Sequence, residues 1–216
     1  MRGRIRTPNL ALLYQAAAKR YGDMPAFAIR DSVLKWTPVS YQQAYVQGLE
    51  LATGLIELGV AARDHVGLFG DNRYEWILSD YAVQFCGAAD VPRGRDVTDE
   101  ELVYIIDHAG IQVTFVETGE LQKRVLSLRK RLPALREIIL LDPKAEAAPG
   151  VRRLQEVCEL GAKLRSAGDR RAEKRVEGIQ PDDLFTLIYT SGTTGKPKGV
   201  MLTHANMASQ ISNLQG

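Results

Sequence analysis

Cysteine is scarce in this chain, with two residues in 216, Cys86 and Cys158. Two isolated thiols inside apolar helical patterns exclude a disulfide framework and point to reduced, buried cysteines in a reducing compartment. There are three histidines; His65 and His108 have no partners at metal-ligand spacing, and His204 reads as a packing residue near a helix start. No apolar run reaches the length of a membrane-spanning helix. Charge of one sign is also lacking: 28 Lys and Arg against 26 Asp and Glu leave a formal +2. That balance gives no reason to expect nucleic acid or a membrane surface as principal partner. No internal repeat is visible.

What remains is ordinary for a soluble globular chain, 45% apolar and 25% charged, with room for one α/β domain and a sizeable core. Basic clusters at Lys123–Arg124, Arg129–Arg131 and Arg170–Arg175 alternate with Glu120, Glu173 and Glu177, the pattern of solvated helix faces. Peripheral lipid contact at these clusters is left open. The start, Met1 to Arg6 followed by Leu10 to Leu13, imitates a leader, but Tyr14, Gln15 and Lys19–Arg20 interrupt it. Leu10, Leu13, Ala17 and Tyr21 instead fit one face of an amphipathic first helix, and the protein is expected in the cytoplasm.

The most informative segment is Tyr189 to Gly199, YTSGTTGKPKG. It gathers four hydroxyl side chains, three glycines and two lysines. Glycines allow positive φ and close approach of backbone to a ligand, and successive N–H groups can form a nest for anionic oxygens. The hydroxyls of Thr190, Ser191, Thr193 and Thr194 can donate to phosphate or ligate Mg²⁺. Lys196 and Lys198 add point charges. An apolar strand, Leu184 to Tyr189, precedes the segment; a second strand, Val200 to Thr203, and a helix start at His204 follow it. A Walker A loop fails on spacing, since two residues separate Gly192 from Gly195 and Pro197 follows Lys196. A bland turn would explain the glycines and hydroxyls, but not two lysines and a proline in this order.

Elsewhere strands and helices alternate. Ala26–Ile29 and Leu34–Trp36 read as strands joined at Asp31–Ser32. Ser40 with Gln43, and Thr98 with Glu101, form capping boxes that open helices running to about Leu58 and to Gly110. Val66–Phe69, Ile111–Val116 and Glu137–Leu141 read as strands, and Leu121–Leu132 as a helix. Trp76 and Tyr81 read as core residues of the helix after Phe69, and Asp182–Asp183 as solvated turn residues. Pro143–Gly150 is a surface loop, and Gly161–Gln180 a weakly patterned stretch, mobile or partly helical. The βαβα order predicts a parallel-dominated α/β sheet with helices on both faces.

The segment YTSGTTGKPKGVMLTHANM resembles the phosphate-binding signature of the adenylate-forming superfamily, which includes acyl-CoA synthetases, luciferases and peptide-synthetase adenylation domains. Tyr21–Phe27, Trp36–Tyr41 and Ala89–Gly94 are similar to other segments of that family. Gly59–Val60 with Val66–Trp76 is similar to long-chain fatty acid–CoA ligases. One departure is Ala61 to Asp64, where relatives carry glycine before the aspartate. The resemblance implies the first part of the large N-terminal domain: residues 1–58 as its opening helix, strands and helix, and 59–216 as the sheet subdomain with the phosphate loop. It implies ATP, Mg²⁺ and CoA as the species bound by the whole enzyme, fatty acid as substrate, and formation of acyl-CoA, AMP and pyrophosphate through an acyl-adenylate. It assigns Thr190, Ser191, Gly192, Thr193, Thr194 and Gly195 to the phosphates, with Lys196 and Lys198 supplying charge and Ser191 the hydroxyl on the Mg²⁺ side. No catalytic residue is assigned. Family members are much longer, so their remaining segments and C-terminal lid domain are expected as a missing partner, and residues 25–37 are expected to pair with a sheet in that part. The fragment alone is expected to be inactive. Two alternatives stay open: a fragment of an adenylate-former that uses another acid, and a non-catalytic nucleotide-responsive or interaction module.

Overall fold

The computed structural model describes residues 8–30, 35–190 and 196–214. Helix α1 (Leu10–Tyr21) precedes an antiparallel pair, β1 (Pro25–Arg30) and β2 (Trp36–Ser40), and helix α2 (Tyr41–Glu57). Strands and helices then alternate: β3 (His65–Phe69), α3 (Tyr74–Phe85), β4 (Ala89–Arg93), α4 (Asp99–His108), β5 (Val113–Val116), α5 (Gly119–Ser127), β6 (Glu137–Leu140) and β7 (Arg152–Arg153). Two helices, α6 (Leu154–Ser166) and α7 (Arg171–Gly178), lead to β8 (Leu184–Thr190), β9 (Lys198–Thr203) and α8 (His204–Leu214).

The main sheet has the order β7-β6-β5-β3-β4-β8-β9. All neighbours are parallel except β8 and β9. The expected parallel-dominated sheet is therefore present, with one antiparallel edge strand. Alternation along the strands sends side chains to two cores. On one face Val66, Leu68, Phe115 and Ile139 meet α1, α2, α3, α6 and α7. On the other Phe69, Val116, Ile138 and Leu140 meet α4 and α5. Residues from both expected portions, 1–58 and 59–216, build the first core.

Local signals determine the helix starts. The Ser40 hydroxyl accepts from Gln43 N–H and the Gln43 side chain accepts from Ser40 N–H, and Thr98 with Glu101 does the same. Gly110 ends the α4 turn at φ 65°, a conformation that favours glycine.

Several boundaries and faces differ from the sequence reading. The strand placed at Leu34–Trp36 begins at Trp36, and the turn at Asp31–Ser32 lies outside the described residues. Within this chain β1 and β2 pair with each other, and Phe27 packs against the rings of Tyr74 and Tyr81. The strand placed at Ile111 starts at Val113, and the helix placed at Leu121–Leu132 runs from Gly119 to Ser127 before a short 3₁₀ turn at Arg129–Arg131. Helix α1 buries Leu10 as expected but is turned from the rest of the expected face: Ala11 and Ala18 are buried, and Tyr14 between them stacks on Tyr81 at 3.9 Å. Small alanines let α1 lie close enough for that stack, whereas Leu13 and Ala17 are only half-buried.

At Gly161–Gln180 the partly helical alternative holds: α6 runs to Ser166 and α7 covers Arg171–Gly178, both packed on the first core. Gly161 is a crossing point. A Cβ there would overlap the carbonyl oxygen of Glu50, and one at Gly54 would overlap that of Val157. Glycine at both positions brings α2 and α6 into backbone contact. Helix α7 buries Ala172 and Val176, and Arg175 is half-buried: its guanidinium donates to the carbonyls of Val60 (2.7 Å) and Cys86 (3.2 Å). Arg63 explains the departure at Ala61–Asp64. It takes φ 67°, the left-handed region where glycine carries no steric cost. Its N–H donates to Gly87 O (2.7 Å) and its guanidinium pairs with Asp183 (2.8 Å), which hold it there.

Candidate functional site

Strand β8 reads Leu-Phe-Thr-Leu-Ile-Tyr-Thr. Phe185, Thr186, Leu187 and Tyr189 are buried, while Ile188 and Thr190 face outward. Strand β9 returns antiparallel, with Thr190 opposite Lys198 and Tyr189 opposite Gly199. The connection between them therefore leaves the carboxyl end of β8, the edge at which open α/β sheets bind ligands. The Thr190 hydroxyl approaches Lys198 O at 3.5 Å. Thr190, Lys196 and Lys198 are all exposed, and among the described residues neither lysine is ion-paired. Ser191, Gly192, Thr193, Thr194 and Gly195, including the hydroxyl assigned to Mg²⁺, lie outside the described residues.

The flanks are held from helix α4. Tyr189 OH and His108 Nδ1 are 2.7 Å apart, and the Lys196 ammonium lies 5.2 Å from the centre of the Tyr104 ring. Burial, then the neighbouring Tyr104, raises the Tyr189 phenol above its ordinary value.

Beside β8 a cavity of about 500 Å³ opens over the carboxyl ends of β3 and β4. The chain leaves β3 towards α3 on one face of the sheet and leaves β4 towards α4 on the other, so this is the topological switch point. Asn72, Trp76, Pro92, Arg93, Ile188 and Tyr189 line it. Trp76, read as core from sequence, packs against the first core and also forms a wall of this cavity, whereas Tyr81 is core as expected. The cations nearest the cavity are already engaged. Arg93 lies 3.4 Å from Asp96 and 3.8 Å from Glu101, and Arg95 lies 2.8 Å from Asp71. Lys196, over the Tyr104 ring, and Lys198 thus carry no ion pair beside this cavity among the described residues.

The other residues weighed from sequence are structural. His204 is 1% exposed; its Nδ1 accepts from Leu10 N–H at 3.3 Å, its ring meets Phe185 edge-on, and burial pushes its pKa down to about 4. His65 Nδ1 is 2.8 Å from Ala109 O. Asp183 is not a free turn residue, because its carboxylate accepts from Gln180 N–H (2.8 Å) and pairs with Arg63, and its carbonyl accepts from His204 N–H. Among the described residues no group of three or more His, Cys, Asp or Glu could hold a metal, and no helix is long and apolar enough to cross a membrane. Cys86 and Cys158 are free thiols, and burial pushes both up to about 12, so neither is a nucleophile at neutral pH.

Fold and site together define a class: an open α/β protein whose ligands belong at the carboxyl edge, beside a hairpin that bears hydroxyls and lysines. The chain belongs to the AMP-binding enzyme family, whose model matches residues 14–215. It is 35% identical over 214 residues to a chloroplastic long-chain fatty acid–[acyl-carrier-protein] ligase of Arabidopsis thaliana, covering 94% of this chain and 29% of the relative. It is 35% identical over 191 residues to a long-chain fatty acid–CoA ligase of Mycobacterium tuberculosis, covering 88% and 30%. Among solved structures, an anthranilate–CoA ligase in complex with anthranoyl-AMP superposes with a TM-score of 0.78 at 21% identity, covering 91% of this chain and 35% of that one. The fold is thus that of the N-terminal part of adenylate-forming enzymes, and the chain spans less than a third of the curated relatives' length.

Proposed function

We propose that the segment Tyr189–Gly199 holds the polyphosphate of ATP in an AMP-forming ligase that activates a long-chain fatty acid and passes it to CoA. The observation that carries this reading is the hairpin itself. It brings Thr190 and the uncommitted Lys198 side by side at the carboxyl edge, next to the switch-point cavity. In this reading Thr190, Ser191, Gly192, Thr193, Thr194 and Gly195 cradle the β- and γ-phosphates through hydroxyls and backbone N–H groups. Lys198 and Lys196 neutralise charge on the departing pyrophosphate, the electrostatic work expected in nucleotidyl transfer. Mg²⁺, when bound, would neutralise further phosphate charge, with Ser191 as the hydroxyl on its side. The fatty-acid assignment draws on the curated relatives, and the exposed free lysines on the geometry. The two thiols fit a cytoplasmic setting.

Positioning of adenine, ribose and carboxylate needs residues beyond the third of the enzyme described, and misplaced reactants lose the large advantage of orientation. The chain alone is therefore expected to bind MgATP at most weakly and to form no acyl-CoA over multiple turnovers from ATP, Mg²⁺, palmitate and CoA. Exchange of labelled pyrophosphate into ATP by the full-length protein tests the reading. Exchange that depends on palmitate, and not on a short-chain or aromatic acid, is expected. Exchange with none of these acids would overturn the activity, and exchange with the aromatic acid alone would overturn the fatty-acid assignment.

A further inference from the structure

We propose that Tyr104 is a positioning residue for Lys196, braced by His108 against the end of β8. The proposal rests on the polyphosphate reading of Tyr189–Gly199 and adds a part of the molecule that the motif does not contain. Tyr104 and His108 are four residues apart on α4, so their side chains share one face. Their rings lie 5.1 Å apart, and both meet the Tyr189 ring edge-on, at 6.2 Å and 5.9 Å. The 2.7 Å contact between His108 Nδ1 and Tyr189 OH fixes this three-ring group to the end of β8. On the other side of the group, Lys196 Nζ stands 5.2 Å from the Tyr104 ring centre. One helix face therefore touches Tyr189, just before Thr190, and Lys196, just before Pro197.

The contact has a clear physical role. A lysine ammonium sits on a flexible four-carbon stem and loses much rotamer freedom when it is fixed on a ligand. An aromatic face attracts the cation and confines it beforehand, which lowers that loss. Glu100, Glu101 and Asp107 line the same groove of about 360 Å³ between α4 and Lys196–Pro197, and of these Glu100 and Glu101 already face Arg131 and Arg93. Arg131, which also lines the groove, is engaged by Glu100 through two contacts of 2.8 and 2.7 Å and does not compete for the ring.

Two measurements on the 216-residue chain test the role. In proton NMR the Lys196 ε-methylene should be shifted upfield by the Tyr104 ring; Tyr104→Phe should keep the shift and Tyr104→Leu should abolish it. Its absence from the unaltered chain would overturn the proposal. In calorimetric titrations with Mg²⁺ and inorganic tripolyphosphate, Tyr104→Leu should weaken binding about two- to fivefold, the scale of an exposed cation–π contact, and Tyr104→Phe should not. Because Tyr104 acts through Lys196, the double variant Tyr104→Leu/Lys196→Ala should bind no more weakly than Lys196→Ala alone. Additive losses would mean that Tyr104 supports the fold only, and would overturn the proposal while leaving the polyphosphate reading intact. Tripolyphosphate binding indifferent to both Lys196→Ala and Lys198→Ala, with the ring shift present, would overturn the polyphosphate reading and the positioning role with it.

Discussion

The helical face and the β8–β9 edge of this molecule are built in opposite ways. On the helical face α2 and α6 touch backbone to backbone through Gly54 and Gly161, and Leu51 and Leu55 are fully buried beneath them. At the edge, Ile188, Val200 and Met201 are exposed, Met201 by 65%, and the lysines are free of ion pairs among the described residues. The first region tolerates no added atom, while the second presents backbone, hydroxyls and charge outward. Functional segments draw on the less constrained parts of a fold, positioned by a rigid scaffold, and the contrast here has that form.

Adding one carbon at the helix crossing should break the rigid side. Gly161→Ala is expected to lower stability by about 3 kcal/mol, the upper end of overpacking, because the obstacle is backbone and cannot rotate away. Chemical denaturation would measure it, and a loss below about 1 kcal/mol would show that the helices separate easily.

A second test concerns the acids between α3 and the β4–β8 pair. Asp90 is 2% exposed with Oδ1 unpartnered, as is Oε1 of Gln84, while the Gln84 amide N–H donates to Phe185 O and the Thr186 hydroxyl to Asp90 O. Burial pushes Asp80 up to about 7, against a hydrogen bond from Gln84 that lowers it; burial, then the Asp80 charge, raises Asp90. The folded protein thus holds protons that the unfolded chain releases above about pH 4. Stability should fall as pH rises from about 4 to 7 and level off above the folded pKa. Asp80→Asn should flatten that slope, as read from melting temperatures across the range. His204 acts with the opposite sign: its depressed pKa makes stability fall as pH drops from about 6.5 towards 4. An Asp80→Asn protein should keep that acid-side loss, and what remains of the fall towards neutral pH should come from Asp90, whose pKa burial still raises.

Smaller effects sharpen the same contrast. Arg63→Gly relieves a left-handed residue and removes an exposed ion pair, so a gain of about 0.5–1 kcal/mol is expected. A loss would mean that the Arg63–Asp183 contact outweighs the relief of the backbone. Met201→Ser, on the open edge, should change stability by less than about 0.5 kcal/mol while raising solubility. A large loss would mean that this edge is packed.

The sequence was readable where physics is local. Both capping boxes depend on residues three apart, and both form. The order of strand, glycine-rich segment, strand and helix follows from turn chemistry and periodicity, and the hairpin register agrees with it. Contacts between distant residues were not readable. Nothing local marks Gly161 as a crossing point, because its neighbour Glu50 lies more than a hundred residues away in the chain. The buried face of α1 depends on Tyr81, and Trp76 gives no sign in sequence that it lines a cavity. Tyr104 and His108 carry no motif; only the fold sets them beside Lys196 and Tyr189. Strand β9 was legible from its apolar residues, but not that Val200 and Met201 would remain exposed.

The central claim is that the edge hairpin, and not the helical scaffold, performs the phosphate chemistry. The most direct measurement is ATP–pyrophosphate exchange in the full-length protein carrying Lys198→Ala or Gly192→Val, with melting temperature followed alongside. Lys198→Ala should lower exchange by about 10²-fold, the scale of removing one group that stabilises transition-state charge, and Gly192→Val should lower it further by blocking backbone approach, both with the melting temperature unchanged. Exchange at the unaltered rate in both variants would contradict the account.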